Sequence, residues 1–260
     1  MRSHTDSPIE ALSGHFDHEM AMLQAGQRQI VKMEFAASDR IHRAQELGYV
    51  CQRADGTYDV ASQSPDIVYG SGAFTTVFVG KEDAVHRAIE LEHIERGPEP
   101  EKRLLAMREL GLLLGYPACC TKSYEAQQTQ DESSSFARLL GNDASVQGHH
   151  ANNLFLLDHQ LISHFPCSLL CEKSAEVGLQ ALEICRSRTP TYGESLDILL
   201  RAPIRVWDRF RFLIQHPTLG ELRPNQLSLE ERVHRHPALR SFLSQLPLLP
   251  EGGTSVYWNT

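Results

Sequence analysis

A chain of 260 residues, 41% apolar and 22% charged, carries enough apolar side chains for a sizeable core, which excludes a wholly disordered polypeptide. Its formal net charge of −8, with no basic patch interleaved with aromatics, argues against generic nucleic-acid binding, which needs positive charge to displace counterions. No apolar run approaches the ~18–20 residues that cross a bilayer, and the opening "MRSHTDSPIEALSGHFDHEM" has no apolar signal core, so a cytoplasmic location without membrane association is expected.

In chain order, residues 8–48 read as helical: Ile9, Leu12, Phe16, Met20 and Leu23 recur at helical spacing, as do Ile30, Met33 and Ala37. Ser38 is a candidate cap for a further helix that stops at Gly48. "YVCQRADGTYDVA" has strand–turn–strand character about Asp55-Gly56. The "GSG" at 70–72 lacks a strand–loop–helix context and reads as a plain turn. A strand at Thr75–Val79 precedes a helix from Glu82 to Glu95, and a proline-bearing loop leads to a second helix over "KRLLAMRELGLLLG". Gly115 is a helix stop and Pro117 the start of the next helix, "ACCTKSYEAQQTQ".

"GNDASVQGHHANN" reads as a polar loop, and "CSLLCEKSAEVGLQALEICRSR" as one helix opened by Pro166. A helix near 193–201 and a strand "IRVWDRFRFLI" follow, and the proline-punctuated tail reads as irregular or short-helical. The expected fold class is α+β, a predominantly helical single domain with a small antiparallel or mixed sheet. A minor N-terminal helical segment over residues 1–48 would adjoin a domain over 49–260 that carries the cysteines.

Of six cysteines, four fall in two proline-led stretches, "GYPACC" and "HFPCSLLC", roughly fifty residues apart. Clustered cysteines in a reducing compartment point to metal or redox chemistry rather than structural disulfides. A proline in the first helical turn places Cys119 and Cys120 among unsatisfied N–H groups at the positive end of the helix dipole, which favours thiolate over thiol. Cys167 and Cys171, four apart, would share one helix face and reach one metal. Adjacent helical residues diverge by about 100°, so one of Cys119 and Cys120 is expected to join Cys167 and Cys171 while the other faces a neighbouring metal, a partner thiol or a substrate. Soft thiolates select zinc, copper(I) or iron–sulfur centres.

"ELGLLLGYPACCTKSYE" with "NNLFLLDHQLISHFPCSLLCEKSAE" resembles an uncharacterised prokaryotic family patterned leucine-glycine-tyrosine-proline-x-cysteine-cysteine, then histidine-x-proline-cysteine-serine-x-x-cysteine. The likeness runs over about residues 75–185 and implies a shared cysteine-centred site at Cys119, Cys120, Cys167 and Cys171 with His164. The ligand arrangement alone is similar to that of one class of epoxyqueuosine reductase, in which vicinal cysteines and a second pair hold an iron–sulfur cluster beside an extra metal.

These residues lead to a metal-dependent enzyme with an iron–sulfur centre, doing redox or sulfur chemistry on a small molecule and drawing on an electron-donor protein. Cys119, Cys120, Cys167 and Cys171 are its metal ligands, with His164 and Cys120 as the groups facing substrate. Two alternatives stand beside it: a structural zinc site in a partner-binding module, and a metal-free thiol redox protein. Cys51 and Cys185 read as core filling. His149 and His150 read as a solvated pair, and Asn152 and Asn153 as helix caps, with substrate binding open for all four. No Walker loop, GxSxG elbow, HExxH or paired-carboxylate signature supports a hydrolase or kinase.

Overall fold

The computed structural model describes residues 17–33, 38–54, 76–128, 135–141, 144–156, 159–207, 212–222 and 253–259. It is an α+β structure with eight α-helices, a three-stranded antiparallel sheet and a five-stranded mixed sheet among the described residues. The chain divides into two compact units, the first being His18–Glu132 and the second formed by Asp17 with the described residues after Glu132.

The first unit contains α1 (His18–Gln24), β1 (Ile30–Met33), α2 (Ser38–Glu46), β2 (Val50–Arg53), β3 (Val77–Gly80), α3 (Glu82–Glu95), α4 (Pro100–Leu113) and α5 (Ala118–Gln128). Its strands run in the order β1-β3-β2. Both faces of the sheet are covered, and the period-two alternation of a strand sorts its side chains between them. Ile30 and Phe78 enter a core with Val85, Ala88 and Leu91 of α3 and Ala106 and Leu110 of α4. Val31, Met33, Val77 and Val79 enter the opposite core with Met20 and Leu23 of α1 and Ala44 of α2. Residues 30–33, expected within a helix, are therefore strand. The helical spacing of Ile30 and Met33 is outweighed by pairing with β3, which buries Ile30, Val31 and Met33 completely.

The second unit contains α6 (Ser135–Leu140), β4 (Ser145–His149), a 3₁₀ turn (His150–Asn152), α7 (Glu172–Arg188), α8 (Pro190–Arg201), β5 (Ile204–Val206), β6 (Phe212–His216), β7 (Gly220–Leu222) and β8 (Thr254–Asn259). Strand order is β4-β8-β5-β6-β7, with β4 and β8 parallel and the other pairs antiparallel. Two expectations are corrected. "SVQGH" is a strand rather than a loop, and the end of the tail, "TSVYWN", is a strand inside the sheet. Each takes its partner from more than a hundred residues away, Ser145 facing Ser255 and His149 facing Asn259.

The Asp55-Gly56 turn, the "GSG" at 70–72 and the N-terminal stretch before Asp17 lie outside the described residues. No helix among the described residues is long and apolar enough to cross a membrane.

Candidate metal centre

Helix α4 ends as its sequence foretells. Gly115 sits at φ +79°, the left-handed conformation that glycine adopts without a Cβ penalty. Its N–H donates to the Leu112 carbonyl at 3.0 Å, and the Tyr116 N–H donates to the Gly111 carbonyl at 2.9 Å, the paired closure of a Schellman ending. Pro117 then starts the reversal into α5, its carbonyl accepting from Cys120 N at 2.9 Å and Thr121 N at 3.0 Å. Cys119 and Cys120 thus occupy the first turn of a helix, as expected.

Two contacts fix α5 against α4. A Cβ on Gly111 would stand 2.5 Å from Thr121 Cγ2, so only glycine permits this approach. Arg108 grips Glu125 in a bidentate pair, Nε to Oε2 at 2.8 Å and Nη2 to Oε1 at 2.6 Å.

The second cysteine pair is built differently. Cys167 and Cys171 do not share a helix: α7 begins at Glu172, with Cys171 as its N-cap. The cause is a clamp from a distant side chain. The Asn152 amide donates to the carbonyls of Leu169 and Cys171, both at 3.0 Å, and the His149 N–H donates to Leu169 O at 2.8 Å. Carbonyls held this way fold residues 167–171 into a turn. The Cys171 carbonyl also accepts the Ala175 N–H at 3.0 Å, which starts the helix. The clamp can reach because Gly178 of α7 lets the 3₁₀ turn approach; a Cβ there would stand 2.6 Å from Ala151 O.

The sulfurs of Cys119, Cys120, Cys167 and Cys171 all lie within 4.8 Å of one another, a group that could hold a metal ion. Cys119 Sγ and Cys120 Sγ are 3.9 Å apart. The expectation that vicinal cysteines point away from a common centre is therefore corrected: side-chain rotation overcomes the divergence of neighbouring Cβ atoms. Cys120 and Cys171 are buried, Cys167 is half-buried and Cys119 is exposed. The other two cysteines are thiols in the fabric of the fold. Burial pushes the Cys51 thiol up, and pushes Cys185 up against opposing contributions from Thr189 and Arg186.

His164 is buried, and its Nε2 meets Ser174 Oγ, in the first turn of α7, at 2.9 Å. His149 and His150, expected to be solvated, are stacked with ring centroids 4.6 Å apart, and His150 is 2% exposed. His149 Nδ1 accepts the Ala151 N–H at 3.2 Å. His150 Nδ1 faces the Asn259 carbonyl at 3.2 Å and so carries the proton there, while Nε2 stands 3.7 Å from Asp197 Oδ1. Burial lowers the pKa of both rings, with Arg201 adding to the effect and, for His150, the Asn259 carbonyl and Asp197 opposing it. Asn153, expected as a cap, is fully buried, donating to Leu200 O at 3.2 Å and accepting from Phe155 N at 3.1 Å. Asn152, also expected as a cap, instead donates to the Leu169 and Cys171 carbonyls and so holds the second cysteine turn. Its only signal was a polar pair set directly before the apolar run "LFLL".

Residues 77–189, which include all four clustered cysteines, match a family described as a protein of unknown function (DUF483). Comparison with curated proteins finds no match. Comparison with solved structures finds none either.

Proposed function

We propose that Cys119, Cys120, Cys167 and Cys171 together hold one thiophilic metal ion, zinc or iron, at a centre that performs redox or sulfur chemistry on a small molecule. The observation that carries this reading is the gathering of four sulfurs, from stretches far apart in sequence, within 4.8 Å. Four thiolates so close would repel one another without a cation among them. Metal–sulfur bonds of about 2.3 Å in a tetrahedron set the sulfurs about 3.8 Å apart, close to the 3.9 Å between Cys119 and Cys120. A cluster that gives each cysteine a different iron spreads its ligands further, so a single ion fits the spacing better than the iron–sulfur cluster foreseen from sequence.

Exposure then distributes the roles. Cys120 is 1% exposed, which suits a ligand better than the group that meets substrate. Cys119 is exposed and becomes the position where an incoming molecule can reach a sulfur. When bound, the ion would keep its thiolates deprotonated and nucleophilic at neutral pH; iron could also pass an electron, whereas zinc would support sulfur chemistry alone. The buried His164–Ser174 pair steadies the start of α7, directly after Cys171. A redox step would draw its electrons from a donor protein.

A structural zinc site is the second reading, favoured by the completeness of the set, since four sulfurs leave no open coordination position. Protein purified anaerobically and analysed for metal, acid-labile sulfide and visible absorbance tests both. One iron or zinc per chain without sulfide supports the single-ion centre. Colourless zinc protein that unfolds on chelation supports the structural reading. Iron with matching sulfide restores the cluster, and absence of all three refutes every metal reading.

A further inference from the structure

We infer that Trp258, near the end of the chain, is a positioning residue for the second cysteine pair, acting on the turn at Cys167–Cys171 through Leu169. Residues 167–171 belong to neither a helix nor a strand, so no ladder of backbone hydrogen bonds keeps their shape. The Asn152 amide and the His149 N–H hold the backbone of Leu169. Its side chain is buried and needs a seat of its own.

That seat is the bare backbone of Gly148. Strand β8 runs parallel to β4, with Trp258 directly opposite Gly148. A Cβ on Gly148 would stand 2.7 Å from Trp258 Cζ3 and 2.9 Å from Leu169 Cβ, closer than packed carbon atoms approach. The indole and the leucine therefore close together over one residue, in space that any side chain there would fill. The indole is backed in turn by the fully buried Phe155, with ring centroids 6.4 Å apart and planes tilted by 42°.

Leu169 stands two residues from each cysteine, so moving it moves both. Its backbone is fixed from the side of the 3₁₀ turn and its side chain from β8. The alternation of a strand puts Tyr257 on the opposite face of β8, where it is 51% exposed and lies away from this seat. The inference concerns where the thiols lie and needs no bound ion; only its consequence for metal affinity rests on the reading proposed above.

The test is the rate at which iodoacetamide alkylates each cysteine of the full chain as purified, followed by peptide mass spectrometry, with metal content recorded alongside. Cys171 is buried and reports the turn, while Cys185, fully buried on α7 of the same unit, reports general unfolding. Trp258→Ala should speed Cys171 about tenfold or more and leave Cys185 within about twofold of wild type. Trp258→Phe keeps a ring and should fall between, which preserves the test if Trp258→Ala fails to fold. Tyr257→Ala removes an aromatic residue from the same strand and should leave both rates unchanged, a distinction that a general weakening of β8 would not give. In protein that carries metal, Trp258→Phe should also lower its affinity severalfold. Wild-type labelling of Cys171 in the Trp258 variants, Cys171 and Cys185 rising in step, or an equal effect from Tyr257→Ala overturns the inference. Metal-free protein that still shows the Cys171 effect supports it while removing the metal reading.

Discussion

The two cysteine pairs reach the same small volume by opposite means. Cys119 and Cys120 are set by local rules: a glycine ends one helix, a proline starts the next, and the thiols fall in its first turn. Cys167 and Cys171 are set from a distance, by an asparagine amide seventeen and nineteen residues earlier in the chain that holds two carbonyls of their turn. A pair fixed by its own helix should tolerate changes elsewhere. A pair fixed by a borrowed side chain should fail when that side chain is altered, even with every sulfur still present.

The largest effect should come from removing a buried sulfur. Cys120→Ser or Cys171→Ser is expected to weaken metal binding about a hundredfold or more, measured by competition with a chromophoric chelator. If each change left affinity intact, the pairs would not share an ion. Next comes the clamp. Asn152→Ala should cost about 1–3 kcal/mol of folding stability through the two lost amide hydrogen bonds, and lower metal affinity roughly ten- to a hundredfold. Asn152→Asp should not rescue it, because a carboxylate has no hydrogen to donate. Equal metal affinity in Asn152→Ala and wild type would show that the 167–171 turn holds itself.

Cys185 sharpens the contrast from the other side. It is fully buried on α7, and its pKa is raised chiefly by desolvation, the mark of a packed thiol rather than a ligand. Cys185→Ala should leave metal content unchanged while costing about 1 kcal/mol in a denaturant titration.

The smallest effect is one of pH. Burial lowers the pKa of His149, His150 and His216 below the ordinary histidine value, so the unfolded chain takes up their protons first as pH falls. Their contribution to stability is complete above the unfolded pKa of about 6.5 and is lost as pH falls below it toward the folded values. Thermal midpoints should therefore level off above neutrality and decline on the acid side, a slope that His216→Gln should reduce.

The same contrast explains what could be read from sequence. The Gly115 stop and the Pro117 start were legible because each rests on residues adjacent in the chain, and the four-cysteine grouping because two proline-led stretches repeat the same residue types. The α+β class was legible from the spacing of apolar residues. The strand at the end of the chain, the strand "SVQGH" and the turn at Cys167–Cys171 were not. Each takes its conformation from partners far off in sequence, and a window along the chain carries no trace of them. The period-3.6 spacing of Ile30 and Met33 misled for the same reason, since a strand covered on both faces shows no alternation of apolar and polar residues.

X-ray absorption at the metal edge of protein purified anaerobically tests the central claim most directly, because it counts the atoms bound to the ion. The account predicts a single shell of four sulfurs at about 2.3 Å with no second metal nearby. A shell of nitrogen or oxygen, or fewer than three sulfurs, would contradict it.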